Sequence, residues 1–328
     1  MDYRNSGVDR DRIEEFKQRF IYPFISDRSQ YSAPLNDLVN SVYPPEITVD
    51  GIGTKALLLA QKGLYHYAGY DLVNHLSNDL AVSGVRLSYL ADYISFTQLT
   101  DKQLSNLILG IMGACYEMGV RLIGGETAQM PGYYPKGCFE LVGMGIGNRY
   151  RKIDSSIISG DKIIGLPSNG PHTNGYSLIR SILFDSGKYT LDSIFQDKPL
   201  WYHILQSHLS YAKLLEALPK DINIKRMGHI TGGGIPNCIK RIIPSNYKAI
   251  ITKGKLASPP IFDLIATEGE VEQWEMFNTF NMGIGYILIV DNKEVSEIDR
   301  WIKGSGVKSE IIGEIGENET KGSQTEFR

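Results

Sequence analysis

Between Val8 and Asp50 the chain contains no glycine at all, although glycine fills 34 of its 328 positions. That stretch therefore excludes a glycine-rich phosphate loop, because backbone closing on an anion needs residues that tolerate positive φ. Cysteine is equally scarce: Cys115, Cys138 and Cys238 lie far apart, without the paired spacing of a zinc site. Three scattered thiols suit a reducing compartment rather than a disulfide framework. Cys115 falls in an apolar helical stretch and reads as core. Long apolar runs are missing too, none reaching the roughly 20 residues that span a bilayer. Met1–Asn5 show no apolar leader, so a cytoplasmic protein is expected. Excess charge is absent as well. With 34 basic and 37 acidic residues the balance is −3, which argues against a nucleic-acid or anionic-membrane partner.

The glycine that is present gathers in polar clusters. Val49-Asp50-Gly51-Ile52-Gly53-Thr54-Lys55 ends an apolar segment with the parts of a phosphate–metal site. Asp50 offers hard oxygen to Mg²⁺, Lys55 a cation and Thr54 a hydroxyl, while Gly51 and Gly53 let backbone approach an anion. The spacing is not that of a Walker A loop or a Rossmann fingerprint. Gly69-Tyr70-Asp71 reads as a strand end entering a helix, with Asp71 as N-cap. Helical periodicity then places Asn78 on Asp71's face and Asp79 roughly 80° away. Gly124-Gly125-Glu126-Thr127 delivers Glu126 and Thr127 from another strand end. Asn169-Gly170-Pro171-His172-Thr173-Asn174-Gly175 is a polar loop entering a helix, and His172 is its only titratable group. Thr231-Gly232-Gly233-Gly234, with Pro236 in the next helical turn, makes a second anion cradle.

Apolar patterning predicts strands over Glu46–Val49, Tyr65–Tyr70, Leu87–Ile94, Leu122–Gly124, Phe139–Ile146 and Lys162–Leu166. Helices are predicted over 10–20, 71–83, 101–118, 175–186, 200–218 and 235–242. The polar, basic run from Asn148 to Gly160 marks a boundary, giving domains 1–155 and 156–328, and 315–328 reads as a frayed tail. On one helix, His203 and His208 would stand about 140° apart, too far to share a metal. His75 reads as a packing or surface residue. Phe277, Phe280 and Met282 read as core of the second domain, with Asn278 and Asn281 able to reach a ligand.

Taken in order, the clusters resemble one family. Tyr3-x-x-x-Gly7-Val8-Asp9 opens the series. D-G-x-G-T-K at 50–55, N-D-L at 78–80, G-G-E-T-A-x-M-P-G at 124–132, G-P-H-x-N-G-Y-S-L at 170–178 and T-G-G-G at 231–234 follow. Glu275-Met276-x-x-Thr279-Phe280-Asn281-x-Gly283-x-Gly285 ends it. Together they resemble the phosphoribosylformylglycinamidine cyclo-ligases, the aminoimidazole ribonucleotide synthetases of purine synthesis.

The resemblance implies an α/β (α+β) two-domain fold, with an N-terminal domain whose sheet pairs across a homodimer and a C-terminal α/β domain. It implies ATP and Mg²⁺ as cofactors and formylglycinamidine ribonucleotide as substrate. It assigns Asp50, Asp71, Asp79 and Glu126 to the metal, and these with Gly51, Gly53, Thr54, Lys55, Asn78 and Thr127 to the nucleotide. His172 and Lys55 would be catalytic, and Asn174 with Gly232, Gly233 and Gly234 would line the substrate. The chain departs from the family pattern twice. Residues 8–50 lack the usual glycine-rich cover, the polar stretch Phe24–Pro34 standing there instead. Gln129 replaces a common glutamate. The alternatives are a superfamily member acting on thiamine phosphate, selenide or a carbamoylated partner, or a regulatory relative that binds ATP without turnover.

Overall fold

The structure, a computed structural model, describes residues 12, 15, 16, 19, 45–153, 156–255, 258–319 and 322–328. It divides into two compact units. The first holds the chain to Leu80 and Val85–Arg149, the second Ala81–Gly84 and Tyr150–Arg328. The polar stretch Phe24–Pro34 lies outside the described residues. Of the helix expected at 10–20, Arg12, Glu15, Phe16 and Arg19 are described and are helical.

The first unit is a four-stranded sheet covered by helices. Strand β1 (Glu46–Gly51) pairs antiparallel with β4 (Phe139–Arg149), β4 with β2 (Val85–Phe96), and β2 runs parallel to β3 (Arg121–Gln129). Helices α1 (Lys55–Lys62), α2 (Tyr65–Ala81) and α3 (Asp101–Met118) complete it. Thr100 and Gln103 form a capping box at the start of α3, and Gly119 ends it in the left-handed conformation.

Tyr65–Tyr70 is not a strand. It opens α2, so Asp71 lies inside a helix and caps nothing. Tyr65, Ala68, Leu72, Val73, Leu76 and Leu80 are all buried, a helical stripe that outweighs the local alternation of tyrosines. Asp71 and Asn78 do share a face, and it is the buried one.

Helices α2 and α3 touch through backbone. A Cβ on Gly69 would stand 2.1 Å from the Ile111 amide nitrogen, and one on Gly110 the same distance from the His66 carbonyl oxygen. Gly69→Ala is expected to destabilise the first unit by about 3 kcal/mol, the upper end for core overpacking. A chemical-denaturation curve unchanged from wild type would refute that close crossing.

The second unit's strands are β5 (Lys162–Pro167), β6 (Ile194–Phe195), β7 (Lys198–Pro199), β8 (Ile224–His229), β9 (Tyr247–Ile251), β10 (Ile284–Val290), β11 (Glu310–Glu317) and β12 (Thr325–Phe327). β6 and β7 pair with each other, and the rest form a six-stranded sheet in the order β12-β9-β11-β5-β10-β8. Every residue of β10 is buried, as an uninterrupted apolar run in a two-sided sheet should be. Residues 315–328 are not simply frayed: β11 runs to Glu317, and β12 pairs parallel with β9. The single helix expected over 200–218 is two short ones, Leu200–Ile204 and Ala212–Ala217, and His208 lies in the segment between them.

Candidate functional site

In the first unit the D-G-x-G-T-K turn leaves β1 and starts α1. Gly53 takes φ of 56°, a left-handed conformation that favours glycine. The Asp50 carboxylate accepts the Gly51 amide at 2.6 Å. Thr54 stands at the N-cap position without capping through its side chain, and the first turn of α1 carries no acidic residue. The positive end of the helix dipole therefore meets no acidic side chain from its own first turn.

Lys55 does not point at the turn's surface. Its Nζ meets Asp71 Oδ1 at 2.8 Å, and both side chains are 0% exposed. Burial pulls the Lys55 ammonium below its usual pKa, and the Asp71 charge and hydrogen bond only partly restore it.

A second charge cluster lies at the sheet's edge. His75 Nε2 is 3.1 Å from Asp50 Oδ2 and 3.4 Å from Asp79 Oδ2. Burial opposes a charge on this imidazole, yet the hydrogen bonds and charges of the two carboxylates raise its pKa to about 9. Burial also raises Asp50, but His75 outweighs it, and the net pKa is lowered. Asp50 and Asp79 therefore converge on a common positive charge. By sequence His75 reads as a packing or surface residue; it is buried, but between two carboxylates. Its spacing was the available signal, because four residues before Asp79 is one helical turn.

Strand register separates the remaining predicted ligand. Asp50, Gly143, Asp92 and Gly125 form one row across β1, β4, β2 and β3. Leu72 and Leu76 of α2 crowd Gly143, so this row faces the helices. Glu126 is one residue on, in register with Tyr93 and Val142, and successive side chains point to opposite faces. Glu126 thus faces away from Asp50, its Oε1 accepting the Thr127 amide at 2.7 Å, while Thr127 is buried. Asp92 is a carboxylate the sequence did not flag. It leans over Gly125, where a Cβ would come within 2.5 Å of Asp92 Oδ1. Gln129 turns its amide to the Thr97 carbonyl at 3.5 Å.

In the second unit the loop after β5 is held from several sides. Tyr211 donates to the Pro167 carbonyl at 2.7 Å, Asn281 to that of Gly170 at 2.8 Å and Tyr176 to that of His172 at 3.1 Å. Asn281 also accepts from Ser168, so it organises the loop from a buried position. His172 adopts φ of 58° and is 1% exposed, not the surface ring a polar loop suggests. Its imidazole stacks on His208, with centroids 4.0 Å apart. Asn174 is half-buried, and a Cβ on Gly232 would meet its Oδ1 at 3.5 Å. Gly233 and Gly234 take φ of 86° and 58° at the start of helix α4 (Gly234–Ile242). The structure thus brings Asn174 and Gly232 together, while His172 is buried against His208.

Two family descriptions match the chain. AIR synthase related protein, N-terminal domain, covers residues 42–148, and the corresponding C-terminal domain covers 159–325. Phosphoribosylformylglycinamidine cyclo-ligase of Myxococcus xanthus (strain DK1622) is 36% identical over 328 residues, 95% of each chain. The enzyme of that name from Geobacillus kaustophilus (strain HTA426) is 35% identical over the same length and shares. Among solved structures, E. coli HypE, a hydrogenase maturation protein, superposes with a TM-score of 0.66 at 16% identity, covering 94% of this chain and 92% of its own. A HypE structure in complex with ATP gives 0.67 at 15%, covering 98% and 93%. At such identities these two structures establish the fold alone.

Proposed function

The chain belongs to the phosphoribosylformylglycinamidine cyclo-ligase family, and on that premise we propose that it closes the imidazole ring of aminoimidazole ribonucleotide. The substrate is formylglycinamidine ribonucleotide, and ATP is converted to ADP and phosphate. The observation that carries this reading is similarity along nearly the whole chain, through both domains. An amide oxygen is a poor leaving group. Transfer of the γ-phosphoryl group to it creates a good one; the amidine nitrogen then forms the new C–N bond as the C–O bond breaks and phosphate leaves. Such a transfer asks the protein for positioning and charge neutralisation more than for a nucleophile.

Asp50 and Asp79 are the residues that fit Mg²⁺, since they offer hard oxygens and already stabilise a shared positive charge at His75. Mg²⁺ held there would supply charge neutralisation to the nucleotide's phosphates. Asp71 is engaged with Lys55, and Glu126 faces the other side of the sheet, so neither belongs to that pair as the chain stands. Gly51, Gly53, Thr54 and the start of α1 receive the phosphates, and Lys55 with Asp71 and Asn78 supports them from below. Asn174 and Gly232–Gly234 hold the substrate. His172, being buried, acts by fixing that loop or by passing a proton through a neighbour.

Ile47 and Val49 are 59% and 62% exposed on the face of the first unit's sheet opposite α2, with Tyr93 and Met144 also exposed. We assign this face to a second copy of the chain, as exposed apolar sheet surface favours burial. Val49→Glu is expected to give a monomer by light scattering; a mass unchanged from wild type removes this face from the interface. Among the described residues no helix is long and apolar enough to cross a membrane, and we place the reaction in the cytoplasm.

The test is coupled ADP release by the purified protein with Mg²⁺–ATP, with and without formylglycinamidine ribonucleotide. Equal amounts of substrate-dependent ADP and aminoimidazole ribonucleotide are expected. ATP binding with no substrate-dependent product would sink the proposal and favour a regulatory relative.

A further inference from the structure

Behind the two substrate loops of the second unit lies a buried group of three imidazoles, His172, His208 and His229. His208 Nε2 is 2.9 Å from His229 Nε2, and Thr173 Oγ1 is 3.4 Å from His208 Nδ1. The His172 ring stacks on His208 with 26° between planes. Gly285 makes room for the assembly, since a Cβ there would stand 2.7 Å from His172 Cε1 and 2.0 Å from the Tyr211 hydroxyl.

Three buried imidazoles suggest a metal, but the geometry argues against one. Imidazole lone pairs lie in the ring plane, and a metal would sit about 2 Å from each nitrogen. Rings stacked 4.0 Å apart and only 26° from parallel cannot aim both lone pairs at one such point. The 2.9 Å Nε2 contact is instead a hydrogen-bond length. One proton fits between the two nitrogens. His208 and His229 are therefore locked in opposite tautomers, one protonated on Nε2 and the other on Nδ1. Both cannot be imidazolium together, because each would then carry a proton on Nε2.

We propose that His208 is a positioning residue that ties the 170–174 loop to the 229–234 loop through this shared proton and the stack on His172. The tie reaches His172, whose backbone takes φ of 58°, and the two loops it joins are those in which Asn174 Oδ1 approaches Gly232. Its kinetic consequence rests on the cyclo-ligase reading; the coupling itself does not.

The experiment therefore has independent arms. Nitrogen-15 spectra of histidine-labelled protein should show opposite tautomers for His208 and His229 in wild type. Two Nε2–H tautomers, or a stoichiometric metal bound to these rings, would overturn the proposal. His208→Phe keeps the bulk and the stack but removes both nitrogens. Faster amide exchange in both loops, with unchanged global unfolding, is expected; unchanged exchange in either loop overturns the coupling. In turnover, His208→Phe should lower kcat/KM for the ribonucleotide about 10-fold, the size of one buried hydrogen bond, with KM for ATP unmoved. His208→Gln, which can still bond His229 Nε2, should recover most of that loss, and failure to recover would count against the shared proton. Absent turnover in wild type with the tautomers locked would reject the cyclo-ligase reading and leave the tie standing.

Discussion

Removing either member of the Lys55–Asp71 pair is expected to destabilise the first unit by about 3–5 kcal/mol, the cost of leaving one buried charge uncompensated. Both side chains are fully buried and 2.8 Å apart, so neither can turn to water when its partner is lost. The pair also joins the first residue of α1 to the middle of α2, which makes its loss a loss of helix docking. Lys55→Met combined with Asp71→Leu removes both charges and should recover most of the stability, since such pairs are often replaced by apolar groups without loss. The double variant separates folding from chemistry. Thermal unfolding near the wild-type midpoint, with ATP-dependent turnover gone, would show that the Lys55–Asp71 pair serves the nucleotide as well as the fold. Full turnover in the double variant would remove Lys55 from catalysis. A single Asp71→Ala variant that unfolds like wild type would refute the buried ion pair itself.

Much of this arrangement was legible in the sequence, and the misses have physical causes. The D-G-x-G-T-K turn, the helix over 101–118 and the strand at Lys162 announce themselves through local patterning, and the structure keeps them. Tyr65–Tyr70 was misread because three tyrosines imitate a strand over six residues, whereas the stripe that buries α2 needs sixteen to declare itself. Asp92 is not legible locally, because no glycine adjoins it along the chain. Its glycine is Gly125, one strand away in the sheet. The separation of Glu126 from Asp50 depends on register across three strand pairings, and no single segment carries that. A continuous helix over 200–218 sets His208 about 140° from His203, and nothing local points to its other partners. The break between Ile204 and Ala212 takes it off any helix, and its partners are His172 and Thr173 in the loop after β5 and His229 at the end of β8. The binding turns were visible because glycine and charge are local signals. What supports them was hidden because packing is not.

Asp50→Asn and Asp79→Asn are each expected to lower substrate-dependent turnover about 100-fold, or ~2.7 kcal/mol, while leaving the fold intact. The size follows from removing one of two anionic oxygen donors at a site that must neutralise phosphate charge. Asp50 is half-exposed and Asp79 partly so, so the loss falls on function more than on packing. Both variants should need more Mg²⁺ to reach half-maximal rate. Because the two carboxylates serve one cation, the double variant should lose little more than the worse single, which is the non-additivity of residues acting as a unit. Independent, additive losses would mean separate roles, and undiminished turnover in both singles would take them out of the metal site altogether. Glu126→Gln gives the contrast. Its side chain leaves the opposite face of the sheet, so it should not shift the Mg²⁺ dependence set by Asp50 and Asp79. A shift as large as theirs would require the two faces of the sheet to serve one ion, which a single copy of the sheet does not allow.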